Sequence, residues 1–249
     1  MIRKILCILT ALCLVFLCSC SIKKEDPVTQ TETQTETTAL PLPDETSAEQ
    51  KYPEPVDFDE YMSVNREVYA YIKVPGTNID YPIVQSGQDD NYYLRRNWKG
   101  EPFHRGCIFT QSANAKEFTD PVTVVYGHNT GKGDMFSQLL SFQDKEFFDS
   151  HELFYIFIPG HILVYRIFSA HSYDNRHIMN SYDFSQPEVL RNFQNSLLNP
   201  SALQKNVRED TVLREFSEIV VLSTCAESRS GSGYRYLVNG VLINDVLTV

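Results

Sequence analysis

Cys225 closes the apolar run Ile219-Val220-Val221-Leu222-Ser223-Thr224, and the polar stretch Ala226-Glu227-Ser228-Arg229-Ser230-Gly231-Ser232-Gly233 follows it. A thiol at that junction sits where a buried strand opens into a glycine-rich loop, a position at which folds often present reactive groups. The chain then returns as Tyr234-Arg235-Tyr236-Leu237-Val238. With a symmetric hairpin loop, Leu222 faces Val238, Thr224 faces Tyr236 and Cys225 faces Arg235, about 5 Å apart at Cβ on one side of the sheet. A guanidinium there supplies positive charge to a thiolate or donors to an oxyanion. Arg229, in the loop, is the competing cation.

A thiol nucleophile also needs an acid/base partner. His128 ends the apolar run Val122-Thr123-Val124-Val125-Tyr126-Gly127, so it too stands at the exit of a strand. Spacing alone leaves two readings open for it, a catalytic partner or a satisfied structural histidine. His151, His161, His171 and His177 lie in polar or turn contexts and read as surface residues; His104, beside Arg105, reads as solvated. Cys107, in Arg105-Gly106-Cys107-Ile108-Phe109, reads as a small buried hydrophobe. No Cys/His cluster has zinc-ligand spacing.

These residues require a frame that brings strand ends together. From Tyr52 onward, aromatic and β-branched residues arrive in short blocks. The candidate strands are 68–73, 80–84, 106–110, 122–126, 153–158, 163–169, 218–224 and 234–243. Turn signals separate them, among them Pro75-Gly76-Thr77-Asn78, Asn129-Thr130-Gly131 and Pro159-Gly160. Eight short strands predict a mainly β fold, a closed barrel or a sandwich. Helices are subordinate: 57–65, 135–142 and 187–198. The last has Ser185 as its expected N-cap and Val189, Leu190, Phe193 and Leu197 at helical spacing.

The rest of the chain is address and tether. Arg3-Lys4 precedes an apolar run from Ile5 to Cys18 broken only by Thr10, and charge resumes at Lys23. That is a signal-peptide pattern over residues 1–20, and the run is shorter than the ~20 apolar residues of a spanning helix. Leu17-Cys18-Ser19-Cys20 resembles a bacterial lipobox, which would make Cys20 the lipidated first residue of the mature protein. Lipoprotein, uncleaved signal anchor and cleaved secretion are three readings. All put the domain outside the cytoplasmic membrane, and the basic flank favours N-in, C-out. The expected location is the outer face of that membrane, with the chain held through its N-terminus. Residues 21–51 contain no Phe, Tyr or Trp and read Thr31-Glu32-Thr33-Gln34-Thr35-Glu36, then Pro41-Leu42-Pro43. Such a segment cannot offset the entropy of ordering. The expected tether runs over 21–56 and the folded domain over 57–249. The whole chain carries 22 Lys+Arg against 32 Asp+Glu, a net charge of −10, which argues against a nucleic-acid partner. Its 42% hydrophobic content is enough for a core, so a wholly disordered chain is excluded.

Tyr126-Gly127-His128-Asn129, Leu222-Ser223-Thr224-Cys225 and Arg235 together resemble the signature of the sortase family. Val74-Pro75-Gly76-Thr77-Asn78-Ile79-Asp80-Tyr81-Pro82-Ile83-Val84-Gln85, Asn91-Tyr92-Tyr93-Leu94 and Gly106-Cys107-Ile108-Phe109 are similar to class B members in particular. The resemblance runs from about Asp57 to Val249. It departs at Val221, where Thr is usual, at Cys107, often Ser, and at Ala226, where an acid can occur. The lipobox is also unusual for sortases, most of which are signal-anchored.

The resemblance implies an eight-stranded sortase-type β-barrel, with an N-terminal helix and a helix between strands 6 and 7. It implies cleavage of a C-terminal sorting signal of the Asn-Pro-x-Thr-Gly/Asn type through a thioacyl enzyme, then transfer of the surface protein to a peptidoglycan amine. Cys225 would be nucleophile, His128 general acid and base, and Arg235 oxyanion and substrate ligand, with no metal or organic cofactor. Ser223, Leu94 and Ile178 would line the groove; Ser223 also alternates onto the face of Cys225. Two rivals remain. His104-Arg105-Gly106-Cys107 is faintly similar to the Ser-His-Gly-Cys segment of L,D-transpeptidases, which would make Cys107 the nucleophile. A surface-displayed binding lipoprotein without catalysis would suit the lipobox and tether.

Overall fold

Short apolar blocks between turns become strands, and their pairing decides the architecture. The computed structural model describes residues 52–225 and 233–249; the signal-peptide pattern, Cys20, most of the expected tether and Arg229 lie outside them. The strands are β1 (Val68–Lys73), β2 (Asp80–Gln85), β3 (Ile108–Thr110), β4 (Val122–Tyr126), β5 (Leu153–Ile158), β6 (His161–Asp174), β7 (Lys205–Val207), β8 (Ile219–Cys225) and β9 (Tyr234–Leu247). They form one sheet in the order β5-β1-β2-β3-β4-β8-β9-β6-β7, and β5 also pairs with β6. That last pairing closes eight strands into a barrel and leaves β7 outside the ring, on the flank of β6. Closure removes the exposed edges an open sheet would carry. A barrel, not a sandwich, is the outcome.

The eight expected strands are the eight barrel strands. β7 was not expected, because Lys205-Asn206-Val207 carries a single β-branched residue. It exists because β6 runs on past the barrel and offers its free side at Ser169, Ala170 and His171. β6 and β9 form a long ribbon, paired from His161↔Leu247 to Asp174↔Tyr234. Residues 52–56, expected in the tether, are packed: Tyr52 bridges to Thr248, and Tyr52 and Val56 are buried.

The barrel interior holds Ile72, Ile83, Val125, Phe154, Tyr165, Leu222 and Val238. The Phe154 and Tyr165 rings stack there with centroids 5.0 Å apart. A second apolar layer covers the outer face of β4, β8 and β9. It uses the 187–198 helix with Leu190, Phe193 and Leu197 against Phe168, Val221 and Leu237.

Helix boundaries follow local chemistry. α1 (Phe58–Val64) is capped by the Asp57 carboxylate, which accepts from the Glu60 amide at 2.9 Å. α2 (Lys145–Ser150) and α3 (Ile178–Ser181) are short and were not expected. α4 (Pro187–Leu198) starts with Pro at its first position and Gln186 as N-cap. Ser185 is not the cap, because its hydroxyl donates to Asp183 Oδ1 at 2.6 Å instead. The expected 135–142 helix is a 3-10 turn over Ser137–Gln143. Met135 has φ of 51° and lies outside it. Among the described residues no helix is long and apolar enough to cross a membrane.

Phe193 is 1% exposed and lies 4.9 Å, ring to ring, from both Tyr182 and Phe184. Phe193→Ala should therefore lower the unfolding free energy by about 3–5 kcal/mol, read as a shift of the urea midpoint at unchanged slope.

Candidate active site

β4 and β8 run parallel, from Val122↔Ile219 to Tyr126↔Ser223. The Gly127 amide extends the ladder, donating to the Ser223 carbonyl at 3.1 Å. Carried on by two residues, this register sets the backbone of His128 beside that of Cys225. On the other side of β8, β9 pairs antiparallel, with Leu222↔Val238, Thr224↔Tyr236 and Cys225↔Arg235. This is the register a symmetric hairpin requires. Three adjacent strands thus bring His128, Cys225 and Arg235 to one end of the barrel.

The His128 ring is fixed by main chain. Its Nε2 lies 2.7 Å from the Leu94 carbonyl oxygen. A carbonyl only accepts, so in the neutral ring the proton is on Nε2 and Nδ1 is the basic nitrogen. Two glycines make room for it. At Gly127 a Cβ would come within 2.5 Å of the Phe136 ring and 2.6 Å of Ile108 Cδ1. At Gly106, with φ of 58°, a Cβ would meet the Leu94 carbonyl at 2.7 Å and His128 Cδ2 at 2.9 Å. Any side chain at either position would push the ring or its seat aside.

The loop after His128 is tied back to the barrel. The Phe136 amide donates to the His128 carbonyl at 3.0 Å, and the Met135 amide to the Tyr81 hydroxyl at 3.2 Å. Asp134 accepts from the Thr130 hydroxyl and the Arg105 guanidinium. Partial burial raises the Asp134 carboxyl, but those two donors outweigh it and hold the group below its ordinary value.

On the Arg235 side lies a small pocket. It is lined by Ser223, Arg235, Tyr126, His177 and Ile178. Ser223 and Ile178, both named from sequence, are buried and meet here. Leu94, the third, flanks His128 with its side chain 38% exposed. Tyr126 and His177 were not singled out for the site. Tyr126 stacks on Phe109 at 5.5 Å and lies 6.1 Å from the His177 ring. Burial pushes its phenol up while the neighbouring Arg235 charge pulls the other way. Tyr126 precedes His128 by two residues, the spacing that returns to one face of extended chain, a signal that was available. His177 is no bare surface residue, since its Nδ1 accepts from the Asn180 amide at 3.2 Å and caps α3. The surface reading also fails for His171, which is 2% exposed because β6 runs beneath the segment that follows α4.

Cys107 sits in a separate cluster with Val84, Tyr93 and Phe109. Burial raises its thiol well above the usual range, so it stays protonated at neutral pH, contrary to what a nucleophile needs. Among the described residues no group of three or more His, Cys, Asp or Glu is placed to hold a metal ion.

A closed barrel whose neighbouring strands β8 and β9 pair a cysteine with an arginine, and whose β4 ends two residues before a histidine, frames a site for cysteine-based chemistry. A model of the Sortase domain matches residues 72–243. The chain is 29% identical over 182 residues to sortase B of Listeria monocytogenes, covering 73% of this chain and 72% of that protein. Sortase B of Bacillus anthracis superposes with a TM-score of 0.64 at 31% identity, covering 74% of this chain and 83% of that one. Sortase B of Clostridium perfringens superposes with a TM-score of 0.67 at 28% identity, covering 76% of this chain and all of the other. The chain belongs to the sortase family, and it is class B-like, a cysteine transpeptidase.

The Asp134 contacts generate a pH prediction. A carboxyl held below its unfolded value stabilises the fold above that value, about 4, and loses this as pH falls through the folded one. Asp134→Asn should lower Tm by about 2–4 °C at pH 7, the shift expected for roughly 1 kcal/mol in a domain of this size. The gap between wild type and variant should close on acidification below about pH 4. A gap that persists at low pH would show that the charge is not the cause.

Proposed function

We propose that Cys225 attacks the Thr carbonyl of a C-terminal sorting signal of the Asn-Pro-x-Thr-Gly/Asn type, on surface proteins delivered across the membrane. The thiol proton passes to His128 as the sulfur–carbon bond forms, the Thr–Gly/Asn amide breaks, and His128 gives that proton to the departing amine. A peptidoglycan amine then attacks the thioester, the carbon–sulfur bond breaks, and the amine proton returns through His128 to the thiolate. Arg235 donates to the oxyanion and holds the signal. Ser223, Ile178 and Leu94 line the path of the signal. The observation that supports this reading is the double register of β8, whose last residue Cys225 pairs with Arg235 on β9 while its other neighbour, β4, ends two residues before His128. The enzyme works at the outer face of the cytoplasmic membrane, held through its N-terminus by a lipid on Cys20 or by an uncleaved anchor. The signal-peptide pattern and the Thr-rich tether support that placement.

A fluorogenic peptide containing Asn-Pro-Gln-Thr-Gly tests the chemistry. Cys225→Ala should reduce cleavage below detection, and His128→Ala should cost about 10²–10⁴-fold. Arg235→Lys should cost roughly 10²-fold, because a lysine cannot reproduce the guanidinium fork. Cys107→Ala should stay within about twofold, as a buried thiol without a chemical role should. Cleavage retained by the Cys225 variant would sink the assignment. Mass spectrometry of the mature N-terminus separates an acylated Cys20 from an intact Met1.

A further inference from the structure

Beyond Arg235 the outer face of the barrel continues into a second groove of about 940 Å³. Its walls are His171 and Tyr173 on β6, Arg176, Tyr182, Tyr234 and the segment 199–204 after α4. Tyr173 and Arg176 line both this groove and the pocket at Ser223, so the two are continuous. Cys225, Arg235 and Tyr173 occupy one row across β8, β9 and β6. At the ordinary strand spacing, the groove begins about 10 Å from Cys225.

Its chemistry is neutral and rich in hydrogen-bonding groups. Arg176 donates to Asp174 at 2.7 Å and to the Tyr182 hydroxyl at 2.7 Å, so the two opposite charges offset each other. Tyr234 is 63% exposed and Leu203 fully exposed at the rim, giving apolar contact area. His171 is 2% exposed, and its Nδ1 lies 3.0 Å from the Ser172 carbonyl. That contact puts the proton on Nδ1 and leaves Nε2 as a lone-pair acceptor, with no partner among the described residues. Burial lowers the imidazole pKa and keeps the ring neutral. A buried acceptor without a partner is costly unless a ligand supplies the donor.

We propose that this groove seats the peptide that carries the acceptor amine, with His171 Nε2 accepting an N–H of that peptide. The proposal rests on the transpeptidase reading above. During the second step the donor remains bonded to Cys225 and fills the pocket at Ser223 and Ile178. The acceptor therefore needs its own channel converging on the same carbon. The cleft beside Asn129, lined by Ser137 and Gln138, is the alternative. There the polar side chains are already engaged: Ser137 accepts from the Thr130 amide and Gln138 from the Asn78 amide, holding the His128 loop. His171 is a positioning residue and takes no part in bond making.

Acceptor kinetics test this with wild type, His171→Leu and Ser201→Trp; Ser201 is exposed on the groove wall, so its variant does not depend on repacking the core. The donor is the fluorogenic peptide. The acceptors are triglycine, a tripeptide bearing diaminopimelate, and hydroxylamine, which is too small to need a groove. Wild type should use at least one peptidyl amine at lower KM than hydroxylamine. Both variants should raise that KM fivefold or more, while donor hydrolysis and hydroxylaminolysis stay within twofold. An unchanged peptidyl-amine KM overturns the proposal. So does a raised donor KM, which would assign the groove to the sorting signal, or a wild type that prefers hydroxylamine to both peptides. A wild type that cleaves no donor peptide fails the transpeptidase reading itself, visibly and separately.

Discussion

The parallel pairing of β4 with β8 is the constraint on which the site depends. Two parallel neighbours end at the same pole of a sheet, so the residues just past each strand are brought together without any loop reaching across. His128 lies two residues past the end of β4, and Cys225 is the last residue of β8. Parallel neighbours also demand a long crossover, and here it contains β5, β6, α3, α4 and β7. The groove walls are therefore supplied by the same connection that makes the parallel pairing possible. Gly127 is a sensitive point next to His128, since its amide continues the ladder and Phe136 and Ile108 fill the space a Cβ would need.

Local pattern carried far in this chain where a single strand or hairpin decided the outcome. The turn-bounded blocks located all eight barrel strands, and the symmetric hairpin placed Cys225 opposite Arg235. What remained illegible depends on long-range closure. The choice between barrel and sandwich rests on β5 pairing with β6 while also pairing with β1, and alternation is the same in either case. β7 has no signal of its own and is templated by β6. His171 looked solvated because its sequence neighbours Ser172 and Asp174 are polar, yet it faces the layer beneath the segment after α4. Ser185 had the right type for a cap and was taken by Asp183 two residues earlier.

The two cysteines of the folded body differ by environment, not by type. Cys107 lies among Val84, Tyr93 and Phe109, where burial favours the neutral thiol. Cys225 is the last residue of β8, and its backbone partner on β9 is Arg235. The overall charge of −10 says nothing of this contrast, because one arginine at one register position sets the local field.

The β6–β9 ribbon separates two ends of the described domain. One end carries Asp174↔Tyr234, next to Arg235; the other carries His161↔Leu247, next to the Tyr52–Thr248 bridge. Fourteen residues of extended chain put those ends about 40 Å apart. Tyr52, the first described residue, therefore lies at the end of the ribbon remote from the row that holds Cys225 and Arg235, so the fold keeps its own N-terminal strand contact clear of that row.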